Sequence, residues 1–172
     1  TKVVSSSDLV LSVSKFTRDE IINRLDRIDT NHVKFLPNGV DTNRFFPSKV
    51  DDAFLQKYNI PVGSDIILTL ARIIKRKAYD DVIKAIPDIL TEFPKAHYVI
   101  AGPHRKKDPY LHYLKQLTKE LSVEKHVTFI DFIPEEDLKK IYSASKVYVM
   151  ASRTLHETGD SEGFGITFLE AN

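Results

Sequence analysis

Two glutamates, Glu162 and Glu170, stand eight residues apart around the bend Gly163-Phe164-Gly165, near the end of a 172-residue sequence. Half of the six glycines, Gly159, Gly163 and Gly165, gather in this loop. Glycine admits positive φ and lets a ligand approach the backbone closely. The loop runs into "ITFLEAN", which reads as a helix beginning near Gly165. Free amides at such a start favour an anion, so the backbone of Phe164, Gly165 and Ile166 is a candidate phosphate cradle. A carboxylate is a poor partner for phosphate but a good acceptor for sugar hydroxyls. Two of them suggest hydroxyls on both sides of a diphosphate. The plain alternative is that Glu170 is a solvated helix residue, and the glycine context argues against it.

Cations gather at matching places. Four short apolar runs, at 65–71, 97–102, 126–131 and 146–152, are rich in β-branched and aromatic residues. They are nearly continuous in hydrophobicity, as strands buried on both faces are. After the first come Arg72, Lys75, Arg76 and Lys77; after the second, Gly102, Arg105, Lys106 and Lys107. After the third comes "DFIPEED", and after the fourth the glycine loop. In an open α/β sheet these loops share one edge, where ligands bind. Arg72 and Lys77 bracket a strand-to-helix turn, the arginine able to fork onto phosphate oxygens and the lysine adding a mobile charge. For the second loop, a merely solubilising surface explains the charges equally well.

The segments between the runs have helical spacing. Leu111, Leu114, Leu117 and Leu121 mark one buried face. "PEED" at 134–137 starts a helix with acids at its positive end. Pro87 is expected to kink or divide the first helix. Strands alternating with helices predict an α/β fold, a doubly wound parallel sheet. The first sixty residues differ: a strand, a helix over 15–28 capped by Ser14, a second short strand, then a turn-rich stretch that reads as a linker rather than a hairpin at Asn38-Gly39. The expected organisation is 1–36 as the end of one domain, 37–64 as linker and short helix, and 65–172 as a Rossmann-like domain. The chain starts without methionine and stops within a helical pattern, so it reads as part of a longer protein.

Composition narrows the chemistry further. The formal charge is +1, so nothing global favours nucleic acid or an acidic membrane surface. The absence of cysteine excludes disulfides and thiolate catalysis. No apolar run approaches the ~18 residues of a membrane span. "DSE" and the trio His156, Glu157 and Asp160 lack a second ligand cluster, so no metal is expected. His97 and His126 open strands and read as structural. No phosphate-binding GxxxxGK[ST] loop is present and no GxGxxG follows a strand, which disfavours triphosphate hydrolysis and dinucleotide redox chemistry.

In sum, "EGFGITFLE" resembles the Glu-x7-Glu pattern of the retaining GT-B glycosyltransferases, especially family 4. "ARIIKRKAYDDVIKA" is similar to that family's Gly-Arg-(four residues)-Lys-Gly segment, with Arg72 and Lys77 in register. "LPNGVDTNRFFP" resembles its interdomain stretch and "VSKFTRDEI" the segment closing its first domain. Ala71 and Ala78 replace glycines usual beside the Arg and Lys, and "VMAS" replaces a common "lPS". The resemblance implies the C-terminal, donor-binding half of a hexosyltransferase acting with retention of configuration. The donor would be a UDP-, GDP- or ADP-sugar, with no further cofactor and no metal. Arg72 and Lys77 would neutralise the diphosphate; Glu162 would meet sugar hydroxyls and Glu170 the ribose. The base would rest near Phe132 and Ile133. A glycan, lipid or small-molecule acceptor would be bound mainly by the other domain, and the isolated chain would not turn over. The donor class implies a cytoplasmic enzyme, with a peripheral place at the inner membrane surface open to the parent. A sugar nucleotide epimerase of the same fold and a non-catalytic nucleotide- or sugar-binding module are the alternatives.

Overall fold

The computed structural model describes residue 4 and residues 6–25, 29–104 and 108–172. A small unit comes first. Strands β1 (Val10–Ser12) and β2 (Val33–Phe35) pair in parallel, with helix α1 (Lys15–Asn23) crossing between them. Ser14 caps α1, its hydroxyl accepting from the Thr17 amide at 3.0 Å. The continuation of this helix expected over 26–28 lies outside the described residues, as do Arg105, Lys106 and Lys107.

The larger unit is a four-stranded parallel sheet in the order β5-β4-β3-β6, built from β3 (Asp65–Leu70), β4 (Ala96–Ala101), β5 (Val127–Ile130) and β6 (Ser145–Tyr148). Its helices are α2 (Asp52–Lys57), α3 (Tyr79–Glu92), α4 (Pro109–Glu120), α5 (Glu135–Ala144) and α6 (Ile166–Ala171). Every residue of β4 is buried, as a central strand covered on both faces demands. Its side chains alternate between two cores. Tyr98 and Ile100 pack with Ile83 and Ile86 of α3 and Leu111, Leu114 and Leu117 of α4. Val99 and Ala101 pack on the opposite face with Ile141 of α5 and Phe54 of α2. The sheet is therefore doubly wound, as the sequence predicts. Helix α2, grouped with the linker in the sequence reading, shares this second core through Phe54, and the residues after it add Tyr58 and Ile60.

Pro87 does not divide α3, which runs unbroken from Tyr79 to Glu92. Proline removes one donor and crowds the preceding turn, at a cost of about 3 kcal/mol in an isolated helix. Here Ile83 and Ile86 are fully buried just before it, and that packing holds the helix together. No strand follows β2 before residue 65, so Asn38-Gly39 makes no hairpin. The segment after it is fastened to α5 instead: Arg44 pairs with Glu135 at 3.2 Å, Phe45 meets the Tyr142 ring edge-on, and the Ser48 amide donates to Ser143 Oγ at 3.0 Å.

Candidate functional site

Strand order reverses between β3 and β6, because the chain leaves β3 toward β4 and β5 and returns on its other side. At such a switch point the loops diverge and leave a crevice. The loop after β3 (71–78) and the loop after β6 (149–165) meet there. Lys75–Lys77 form a short 3-10 turn ended by Ala78 in the left-handed conformation, φ 53° and ψ 41°. Residue 78 is where the resembling family has glycine, and the backbone keeps the glycine-type angles despite the methyl group.

This turn presents Arg76 and Lys77 to Glu162. Arg76 Nη1 donates to Glu162 Oε2 at 2.7 Å, Lys77 Nζ pairs with the same oxygen, and Ser152 Oγ donates to it at 3.3 Å. Lys77 Nζ also lies 3.1 Å from Met150 Sδ, and Arg76 Nε is 3.0 Å from Asp160 Oδ1. Burial pushes the Glu162 carboxyl up, but the donation and charge of Lys77 and the charge of Arg76 outweigh it, so the group titrates below its ordinary range. It is a carboxylate at neutral pH, with Oε1 uncommitted among the described contacts.

A second ion pair fixes the two loops to each other. Arg153, just after β6, reaches Asp80 in the first turn of α3, and its backbone amide donates to the Arg76 carbonyl at 2.9 Å. Asp80 is buried and also accepts from Tyr110 of α4 at 2.5 Å. Burial pushes its carboxyl up, while the Tyr110 hydroxyl and the Arg153 charge hold it below the usual range.

The remaining expected residues fall at several places. Arg72 is exposed and lines a cleft of about 580 Å³ with Lys75, His104 and Tyr110; no carboxylate pairs with it among the described residues. Gly102 follows β4 with φ 149°, and a Cβ there would stand 2.0 Å from the Ala71 carbonyl oxygen. This glycine brings the loops after β3 and β4 together. Gly163 lies against α1, where Thr17 Oγ1 donates to its carbonyl at 3.4 Å. Phe164 is half-buried, Gly165 starts α6 at φ 79°, and Ile166 is exposed. After β5, Ile133 is buried in the second core while Phe132 is 70% exposed.

Glu170 makes no contact with the Lys77–Glu162 group among the described interactions. Its Oε2 accepts from Tyr142 of α5 at 2.6 Å. Tyr148 stands between the two carboxylates: its hydroxyl donates to Thr167 Oγ1 at 2.6 Å, and burial together with the charges of Glu170 and Glu162 raises its pKa. Three His, Asp or Glu side chains placed to hold a metal do not occur among the described residues. A larger groove, about 870 Å³, runs between α3 and β6 with Val82, Ile89, Phe93 and Val147 in its wall. It is almost wholly apolar and lies off the crevice where the charged side chains converge.

Sequence reasoning gave no separate role to Arg76, Arg153, Asp80 or Tyr142. Arg76 stands among three consecutive basic residues, and which of them turns inward depends on the 3-10 turn. Arg153 sits just beyond an apolar run and Asp80 in the first turn of a helix, both usable signals, but their pairing requires knowing that β6 lies beside β3.

Residues 50–172 match the family described as glycosyl transferases group 1. The chain is 30% identical over 171 residues to the GDP-mannose-dependent alpha-(1-6)-phosphatidylinositol monomannoside mannosyltransferase of Mycolicibacterium smegmatis, covering 99% of this chain and 43% of that protein. The Anabaena protein HepE in complex with UDP and glucose superposes with a TM-score of 0.78 at 20% identity, over 96% of this chain and 42% of that one. The C-terminal domain of a glycosyl transferase group 1 family protein from Francisella tularensis has a TM-score of 0.62 at 30% identity, over 77% of this chain and 65% of that one. The chain thus spans less than half the length of the curated relative it matches.

Proposed function

This chain belongs to the glycosyl transferases group 1 family, and from that membership we propose that it is the donor-binding part of a retaining, family 4-like hexosyltransferase. The observation that carries this reading is the meeting of Lys77, Arg76 and Glu162 at the switch point of the parallel sheet. The donor is a nucleotide diphosphate sugar. The GDP-mannose dependence named for the mycobacterial relative and the UDP held by the Anabaena structure both belong to that class. Lys77 and the unpaired Arg72 neutralise the diphosphate, with the amides of residues 164–166 as further donors. As the glycosidic bond breaks, negative charge grows on the departing nucleotide, and fixed cations there stabilise the transition state more than the bound donor. Glu162 accepts sugar hydroxyls through Oε1. Glu170, held on one oxygen by Tyr142, has its other oxygen for the ribose. The acceptor, a glycan, lipid or small molecule with a free hydroxyl, sits mainly on the rest of the enzyme, and the site of action is cytoplasmic. No helix among the described residues is long and apolar enough to cross a membrane.

Calorimetric titration with GDP, UDP, GDP-mannose and UDP-glucose tests the reading. Binding of at least one of these is expected, weakened about tenfold or more in Lys77→Met and diminished by salt, since a charge-assisted contact is worth about 1.5–3 kcal/mol. Lack of binding by all four, or equal binding by Lys77→Met, overturns it.

A further inference from the structure

Lys77 and Arg76 are adjacent in sequence and meet the same carboxylate oxygen, yet they are held very differently. Arg76 lies between two acids, Nη1 hydrogen-bonded to Glu162 at 2.7 Å and Nε 3.0 Å from Asp160 Oδ1 as an ion pair without a hydrogen bond; it is as enclosed as Lys77, with 11% and 10% of the two side chains exposed. Arg76 and Asp160 are themselves anchored. The Arg76 carbonyl accepts from Arg153, which Asp80 holds, and Asp160 closes a tight turn by accepting at its carbonyl from the Leu155 amide at 2.8 Å. Lys77 has one charged partner, Glu162, and otherwise touches the soft sulfur of Met150. A guanidinium charge-paired with two carboxylates loses both on leaving, whereas an ammonium with one charged partner on a four-carbon stem exchanges it more readily.

We infer that Arg76 is the positioning residue for Glu162, and that Lys77 alone leaves this carboxylate to meet the diphosphate. The inference rests on the reading of Glu162 as the acceptor of sugar hydroxyls. When an anion of charge −2 or more enters the crevice, it competes with Glu162 for nearby cations. If both cations turned to it, Glu162 would lose its orientation at the moment the sugar needs it. The arginine, tied to Asp160 as well, stays and keeps the carboxylate in place with Oε1 toward its hydroxyl donor. The two neighbours therefore divide the donor between them: Lys77 serves the diphosphate, and Arg76, through Glu162, serves the sugar.

This division separates two quantities that a merely structural role would move together. On the 172-residue chain, Kd values are measured for GDP against GDP-mannose and for UDP against UDP-glucose. In Lys77→Met the bare diphosphate weakens about tenfold or more. In Arg76→Met the bare diphosphate stays within about twofold, while the extra affinity conferred by the sugar falls about tenfold. Arg76→Lys keeps the charge but loses the planar group that lies beside both Glu162 and Asp160, so it does not restore that increment. Asp160→Asn, which removes the second charged partner of Arg76, lowers the increment in part and serves as the readout should Arg76→Met fail to fold. The inference is overturned if Arg76→Met weakens the bare diphosphate as much as Lys77→Met does, or if the sugar increment survives in Arg76→Met and Asp160→Asn. Glu162→Gln separates the two levels. If it leaves the sugar increment intact, the sugar-binding reading of Glu162 falls and this inference with it. If it abolishes the increment while the Arg76 variants keep it, only the role of Arg76 is refuted.

Discussion

Arg153 and Asp80, 73 residues apart in sequence, join the loop after β6 to the first turn of α3. The pair is buried on the acid side and partly open on the basic side. Tyr110 completes it from α4. Three elements that surround the crevice therefore depend on one carboxylate.

Removing that carboxylate leaves the Tyr110 phenol without its acceptor and Arg153 with Asp81 alone, 3.8 Å away. Asp80→Ala is expected to destabilise the fold by about 2–4 kcal/mol, below the upper range for a broken buried pair because Arg153 is partly solvated. In a double-mutant cycle with Arg153→Met the coupling should be about 1–2 kcal/mol. Urea denaturation of the four proteins measures both numbers. A coupling indistinguishable from zero would show that the two side chains are neighbours without mutual dependence.

A pH dependence follows from His97. It lies in β4 and is almost wholly buried, with Nε2 2.8 Å from Thr128 Oγ1. Burial, aided by the nearby His126, pushes its pKa down from 6.5 to about 4. The unfolded chain binds a proton on this group at higher pH than the folded one does. Its effect on stability is therefore absent above about pH 6.5 and grows as a loss when pH falls through 6.5 toward 4. Denaturant midpoints between pH 4 and 8 should decline on the acid side, and His97→Gln should flatten that decline between 4 and 6.5. An unchanged slope in the variant would assign the dependence to other groups.

Backbone geometry gives a third expectation. Gly102→Ala drives a methyl group onto the Ala71 carbonyl, with backbone on both sides of the clash, and should cost about 3 kcal/mol or more. Ala78→Gly should be nearly neutral, within about 1 kcal/mol. Relief of the left-handed conformation, about 1–2 kcal/mol, is offset by the loss of a buried methyl and the greater freedom of the unfolded chain. Thermal unfolding of both variants checks the contrast.

The sheet was legible because its strands are continuous apolar runs and its helices carry the three-to-four spacing seen at Leu111, Leu114 and Leu117. The Ser14 cap and the helix start near Gly165 were legible for equally local reasons. Partners were not. That Lys77 and Glu162 meet depends on strand order, and strand order is set by which faces bury best against which helices, a property of the whole chain. Pro87 does not divide its helix because burial of Ile83 and Ile86 offsets the local cost of the proline. Glu170 shows a different limit. The sequence fixes its helical position, but Tyr142, which holds its carboxylate, comes from a separate helix across the second core.

The fastening of residues 44–48 to α5 has a mechanical consequence. From Arg44 onward the connecting segment travels with the large sheet, through its ion pair, its aromatic edge and the Ser48–Ser143 bond. At the other end, the Leu36 amide is bonded to Ser12 in the small sheet. Because the Asp41 carbonyl accepts from the Arg44 and Phe45 amides, any swing of one unit against the other falls on the torsions of residues 37–40, a short pivot that contains Gly39.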